Sequence, residues 1–203
     1  TSYDLTVQAT DGTTADTEDI TITITDVAPT VTDTSANLAE TAAANAAVVT
    51  VSTTGDDESL TWSITAGNTD GDSDTNLPFA INSGTGAITV NDADDLDFET
   101  TTSYDLTVQA TDGTTADTED ITITITDVAP TVTDTSANLL EPAANSAAVV
   151  TVSTTGDDDG LTWSITGGNT DGDTDGQLPF AIGANTGAIT VNDADDLDFE
   201  TTT

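Results

Sequence analysis

The chain has 203 residues, 38 of them acidic, and no Lys, Arg, His, Cys or Met, so its formal charge of −38 has no counter-charge within the sequence. Phosphate and anionic-lipid contacts need Lys or Arg, which excludes nucleic-acid binding and attachment to anionic membranes. Zero Cys excludes a disulfide framework and thiol chemistry, and without His, Lys or Cys the usual tuned bases and nucleophiles are missing.

No apolar run approaches the roughly 20 residues of a membrane span, so no membrane insertion is expected. Paired carboxylates can serve glycoside hydrolysis. In so acidic a chain some pair always falls at a suitable distance, and the chain is read as non-enzymatic. Like charge at this density opposes compaction, so divalent cations, high salt or both must neutralise it. The absence of any site for trypsin suits an extracellular or cell-surface protein, and the absence of a starting Met suits an interior piece of something longer.

The hydrophobic content of 35% is ordered, not scattered. Tyr3, Trp62, Phe79 and Phe98 return as Tyr104, Trp163, Phe180 and Phe199, each 101 residues later, and aligning 1–102 with 102–203 without a gap leaves 13 mismatches. A period this long marks a tandem array of folded units, and about 100 residues is the size of an immunoglobulin-like sandwich.

Residues 30–130 make one period, and its elements follow in order. Thr30-Val31-Thr32 reads as an edge strand A. Val48 to Val51 gives strand B, and Leu60-Thr61-Trp62-Ser63-Ile64 alternates as a half-buried strand C. Phe79-Ala80-Ile81 is a short D, followed by the turn Asn82 to Gly86 and by E at Ala87 to Val90. Tyr104 to Ala110 and Ile121 to Thr126 alternate as F and G, with Thr keeping the outer face polar.

The fold class is therefore all-β: tandem seven-stranded immunoglobulin-like Greek-key sandwiches. Residues 1–29 supply strands F and G of a preceding repeat, 30–130 a complete repeat, and 131–203 strands A to E of the next. The two ends are expected to be completed by continuing polypeptide or by a neighbouring copy in a filament.

Strand counting sorts the acids by end. The lower end receives Glu40, the CD-loop run Asp70-Gly71-Asp72-Ser73-Asp74, the segment Asp92 to Glu99, and Asp127. The upper end receives Asp56, Asp57, Glu58 and Asp112, with Asp117 nearby. The short linker Asp127-Val128-Ala129-Pro130 brings one acidic end to the next, and Ca²⁺ suits oxygen ligands with no His or Cys nearby. Asp70, Asp72 and Asp74 recur as Asp171, Asp173 and Asp175, with the Asp-x-Asp-x-Asp spacing of a calcium loop. The twelfth residue is Ile81 or Ile182 and not Glu, so this is no EF-hand. The run Asp92-Ala93-Asp94-Asp95 reads as solvated surface. Trp62 and Trp163 suit a sugar-stacking site or a sandwich core, and a strand-C Trp is usually core.

Several motifs follow one another in the repeat: Glu40, Phe79-x-Ile81 with Thr85-Gly86-Ala87-Ile88, Leu96-Asp97-Phe98-Glu99, Tyr104-x-Leu106-x-Val108-x-Ala110-x-Asp112-Gly113, and Asp127 with Pro130. In this order they resemble the cadherin-type repeat over its whole length. The resemblance implies Ca²⁺ between successive repeats, held by Glu40, Asp97, Glu99 and Asp127 of one unit with Asp157 or Asp158 of the next. Asp112 and Asp56 or Asp57 would face the preceding unit in the same way. Glu141, Asp198 and Glu200 repeat the lower-end ligands.

The chain departs from the family in its linker, which lacks Asn-Asp-Asn, and in Gly55-Asp56-Asp57 where the family has Asp-x-Asp. One or two Ca²⁺ per junction, plus one in the CD loop, are expected. The implied function is a calcium-stiffened structural repeat of an adhesin stalk or extracellular filament of a bacterial or archaeal surface protein, with adjacent cadherin-like repeats as its partners. The alternative is an adhesive module recognising glycan or a partner cadherin-like repeat.

Overall fold

The structure, a computed structural model, describes residues 1–55, 58–141, 143–157 and 159–197. Every regular element among them is a strand, so no helix is long and apolar enough to cross a membrane. The chain divides into two compact units, Thr1–Thr126 and Asp127–Thr203.

Unit 1 opens with an antiparallel hairpin of β1 (Ser2–Thr10) and β2 (Ala15–Thr23). There follow β3 (Pro29–Val31), β4 (Ser35–Ala39), β5 (Ala47–Thr50), β6 (Thr53–Gly55), β7 (Thr61–Ala66), β8 (Phe79–Ile81), β9 (Ala87–Val90), β10 (Ser103–Thr111) and β11 (Ala116–Thr126). One layer of the resulting sandwich is the sheet β4-β11-β10-β7, and the other joins the pair β3-β6 to the sheet β5-β9-β8.

The strands expected as A to G are all present, with two refinements. Strand A changes sheets: β3 lies antiparallel to β6, and β4, which alternation alone does not announce, lies parallel to β11. Strand B is interrupted between β5 and β6 at Val51-Ser52.

Period-two alternation explains the core. Tyr104, Leu106, Val108 and Ala110 of β10 and Ile121, Ile123 and Ile125 of β11 all point inward, where they meet Val31, Leu38, Val51, Phe79, Ile88, Val90 and Leu96. Phe79 and Tyr104 pack edge to face, with ring centroids 5.2 Å apart at 84°, the arrangement their quadrupoles favour. Trp62 is buried in this core, as expected of a strand-C Trp. Its neighbour Gly86 sits at φ +69°, and a Cβ there would meet the indole at 3.0 Å and the Val51 carbonyl at 2.7 Å. The Gly of the Phe-x-Ile…Thr-Gly pattern is thus a packing requirement of the Trp.

Unit 2 comprises β12 (Thr131–Val132), β13 (Ala148–Thr151), β14 (Thr154–Thr155), β15 (Phe180–Ile182) and β16 (Ala188–Val191). The pair β12-β14 and the sheet β13-β16-β15 repeat the pairings of β3-β6 and β5-β9-β8. A counterpart of the four-stranded sheet is not found among the described residues of this unit.

Identical sequence therefore has two fates. Residues 61–65 lie in β7, hydrogen-bonded to β10, whereas the same sequence at 162–166 lies in no strand. A strand needs a neighbour to receive its amides and carbonyls. In β1-β2 the register Tyr3↔Ile22 matches Tyr104↔Ile123 of β10-β11, yet Tyr3 is 58% exposed and Tyr104 4%.

This contrast yields a direct prediction. Leu106 is fully buried and Leu5 is 45% exposed in the same local sequence. Leu106→Ala should destabilise the sandwich by about 2–5 kcal/mol, and Leu5→Ala should stay within about 0.5 kcal/mol. Thermal or denaturant melting of the two variants checks this, and equal losses would contradict the burial argument.

Candidate metal centre

At the lower end of the unit 1 sandwich, Glu40 follows β4, where its amide continues the pairing to the Thr126 carbonyl at 3.2 Å. Its carboxylate is buried, and Oε2 accepts the Phe98 amide at 3.0 Å. Asp97 begins a turn in which its carbonyl accepts the Thr101 amide at 2.8 Å, and its Oδ1 accepts the Glu99 amide at 2.8 Å. Glu40, Asp97 and Glu99 each present a carboxylate oxygen, and these lie within 4.8 Å of one another. Three anionic oxygens in one place, one of them on a buried side chain and none opposed by a base, fit a hard divalent cation such as Ca²⁺.

At the upper end of the same sandwich, the Asp112 carboxylate caps the turn between β10 and β11. Its Oδ1 accepts the amides of Thr114 and Thr115 at 2.7 and 2.8 Å, and the two Thr hydroxyls complete the set at 2.8 Å each. The Thr115 amide, then the Thr114 amide and both hydroxyls, hold its carboxyl well below the ordinary carboxylate range. Thr114 Oγ1 also lies 2.5 Å from Oδ2 of Asp26, which occupies the repeat position of Asp127. One hydroxyl thus bridges the linker acid and the turn acid. In unit 2, Asp127 and Asp157 bring carboxylate oxygens within 4.8 Å of each other, and Asp157 Oδ1 accepts the Asp159 amide at 2.9 Å. Asp117 has a structural role, since its Oδ2 receives the Val31 amide at 2.8 Å and so fastens β3.

The CD loop closes around Asp70, whose two oxygens accept the amides of Ser73 at 2.6 Å and Thr75 at 2.8 Å. These bonds, Thr75 foremost, lower its pKa. Asp72 and Asp74 accept amides two residues ahead, and carboxylate oxygens of Asp70, Asp72 and Asp74 lie within 4.8 Å of one another. For Asp72 the Asp74 amide pulls downward. Desolvation and the charges of Asp74, Asp70 and Asp92 outweigh it, so its pKa is raised.

Within the run read as solvated surface, Asp94 is exposed and Asp92 half-buried, but the structure corrects that reading at Asp95. Asp95 is only 4% exposed, and its Oδ1 accepts the Gly71 amide of the CD loop at 2.6 Å. Burial raises its pKa. In unit 2 both Asp193 and Asp196, the repeat partners of Asp92 and Asp95, are buried. The carboxylates group as Asp171 with Asp173 and Asp196, and as Asp173 with Asp175 and Asp193. The signal in the sequence was the apolar spacing: Ala93 and Leu96 draw the segment against the core, and the Asp before Leu96 goes in with it.

Of the other candidates, Glu141 is exposed. Asp56, Asp57, Asp158, Asp198 and Glu200 lie outside the described residues. The turn geometry at Asp112 is testable without metal. In chelator, Asp112→Ala should lower the melting temperature of the sandwich, and Asp112→Asn, which keeps the Oδ1 acceptor, should lower it less. A midpoint unchanged by Asp112→Ala would contradict the capping role.

Comparison with known proteins adds to this geometry. The cadherin domain family model matches residues 34–126, the span of β4 to β11. No curated protein matches the chain. Among solved structures, the protocadherin gammaB4 extracellular domain is 21% identical, with a TM-score of 0.47, over 95% of this chain and 34% of that one. Mouse cadherin-23 EC22-24 is 22% identical, with a TM-score of 0.43, over 87% of this chain and 57% of that one. The protocadherin gamma B2 extracellular domains 1-5 are 25% identical, with a TM-score of 0.46, over 99% of this chain and 40% of that one. This chain thus spans less than two thirds of each of these chains. Residues 34–126 carry the sequence pattern of a cadherin domain, and they fold as an immunoglobulin-like, cadherin-type β-sandwich.

Proposed function

We propose that this chain is a run of cadherin-like repeats stiffened by calcium, serving without enzymatic activity as a spacer in an extracellular adhesin stalk or filament of a bacterial or archaeal surface protein. The observation that carries this reading is the Glu40, Asp97 and Glu99 triad, whose oxygens lie within 4.8 Å of one another in a chain with no Lys, Arg or His. Glu40, Asp97 and Glu99 are the lower-end ligands of the repeat. Asp56, Asp57 and Asp112 are the upper-end ligands, and linker acids such as Asp26 and Asp127 contribute with them. Calcium bound there supplies positive charge and nothing else, and that charge lets acidic ends lie side by side.

Residues 1–29 then belong to a preceding repeat and 131–203 to a following one. The register shared by β1-β2 and β10-β11 supports this phasing, as do the pairings common to β13-β16-β15 and β5-β9-β8. The partners of each repeat are its neighbours, in the same chain or in adjoining copies.

Extracellular calcium modules bind at about 10⁻⁴–10⁻³ M. About 10 mM Ca²⁺ should therefore stabilise each occupied site by roughly 1.4–2.7 kcal/mol. The double variant Glu40→Gln/Glu99→Gln should lose a large part of the calcium-induced rise in melting temperature. Small-angle scattering should show a larger spread of conformations and an altered maximum dimension on chelation. A profile indifferent to chelator would refute calcium stiffening.

A further inference from the structure

We propose that each unit also holds an intradomain calcium site between its CD loop and the segment before Leu96 or Leu197, with Asp95 and Asp196 as the buried ligands. Unit 2 shows it most fully. Asp196 is 6% exposed, and its Oδ1 receives the amides of Gly172 at 2.7 Å and Asp173 at 3.0 Å. Its Oδ2 is buried and meets no hydrogen-bond donor. The Asp196 carboxylate lies within 4.8 Å of those of Asp171 and Asp173. Asp193 is 5% exposed and also has a buried Oδ2 with no donor, and it groups in the same way with Asp173 and Asp175. Asp173 is common to both groups, so five carboxylates come together with Asp173 as the bridge.

Unit 1 shares the buried acid but not the full grouping, since Asp70, Asp72 and Asp74 converge on one another without Asp95. Asp95 Oδ1 takes the Gly71 amide and Oδ2 is left buried without a donor, beside the convergent Asp70, Asp72 and Asp74.

A buried anionic oxygen without a partner is unfavourable, and native structures seldom leave one. The ordinary remedy is a Lys, Arg or His, and the sequence has none. The loop amides that reach these carboxylates are already committed to Oδ1 of Asp95 and Asp196 and to the turn bonds of Asp70 and Asp171. A hard cation satisfies several such oxygens at once, and carboxylate oxygen alone, with no nitrogen or sulfur ligand, suits Ca²⁺. Every ligand comes from within one unit, so the site needs no neighbouring repeat and does not rest on calcium at the repeat ends. Its effect is to fasten the CD loop to the chain segment that carries Leu96 and Asp97.

The test uses the full 203-residue chain and the double variant Asp95→Asn/Asp196→Asn, which keeps the Oδ1 acceptors. In chelator the variant should melt higher than wild type, because two buried unpartnered anions have become neutral. In calcium its rise in melting temperature should be smaller than that of wild type, and calorimetric titration should show at least one ion fewer per unit. Glu40→Gln/Glu99→Gln should leave that intradomain component intact, so each site can fail without the other. A calcium response and stoichiometry equal to wild type in Asp95→Asn/Asp196→Asn would overturn the proposal. Should that variant not fold, Asp72→Asn/Asp173→Asn alters only exposed loop acids and must show the same loss of bound calcium, and its absence is equally decisive.

Discussion

Negative charge without an internal partner governs this molecule. In most proteins an acid near the core is met by Lys or Arg, and the pair is hidden or exposed together. Here each of the 38 acids must be satisfied by a backbone amide, a hydroxyl, water or a cation from solution. The first two are used to the full where the backbone turns. Asp112 collects two amides and two hydroxyls, Asp11 does the same in the leading hairpin, and Asp70 closes the CD loop on two amides. Thr serves twice here, as a strand former and as a donor. Pairs such as Thr6 with Asp19 and Thr107 with Asp120 cross the outer face of the hairpins.

Where amides and hydroxyls run short, carboxylates converge. This happens at Glu40, Asp97 and Glu99 and again beneath the CD loop, and both places lie where chain segments from different strands meet. Neither arrangement suits a protein meant to stand alone in water of low ionic strength, since like charges within 4.8 Å repel. On the proposed reading, a divalent ion would offset that repulsion at both places. Stability, loop order and cation supply would then be aspects of one equilibrium.

The second requirement is an apolar layer to close each sandwich. The β10-β11 pair buries Leu106, Val108, Ile121 and Ile123 completely, because the β5-β9-β8 sheet lies opposite. The same residues in β1-β2 face solvent. Likewise the Thr-Trp-Ser-Ile-Thr segment is a strand beside β10 and irregular in unit 2. Local sequence supplies the capacity for a strand. A hydrogen-bonding neighbour and a covering layer turn that capacity into structure.

The strands were legible in advance because a period of two is visible wherever Ile alternates with Thr, as at Ile121 to Thr126, and because turns such as Asn82 to Gly86 separate them. β4 was not picked out, since the alternation of Ser35-Ala36-Asn37-Leu38 is short and rests on small residues, and its strand is completed by lying parallel to β11. Strand counting sends Glu40, Asp97 and Glu99 to one end with other acids, and it was the resemblance to the cadherin-type repeat that singled them out as ligands. For Asp95 and Asp196 the only signal was the neighbouring Leu96 or Leu197, and which of the nearby acids goes in with it depends on how that segment packs. Composition and periodicity alone thus determined the all-β repeat, its core alternation and its lack of any internal side-chain counter-charge. Tertiary structure decided which acids are buried and which copy of a repeated segment becomes a strand, because both depend on contacts between residues far apart in the chain.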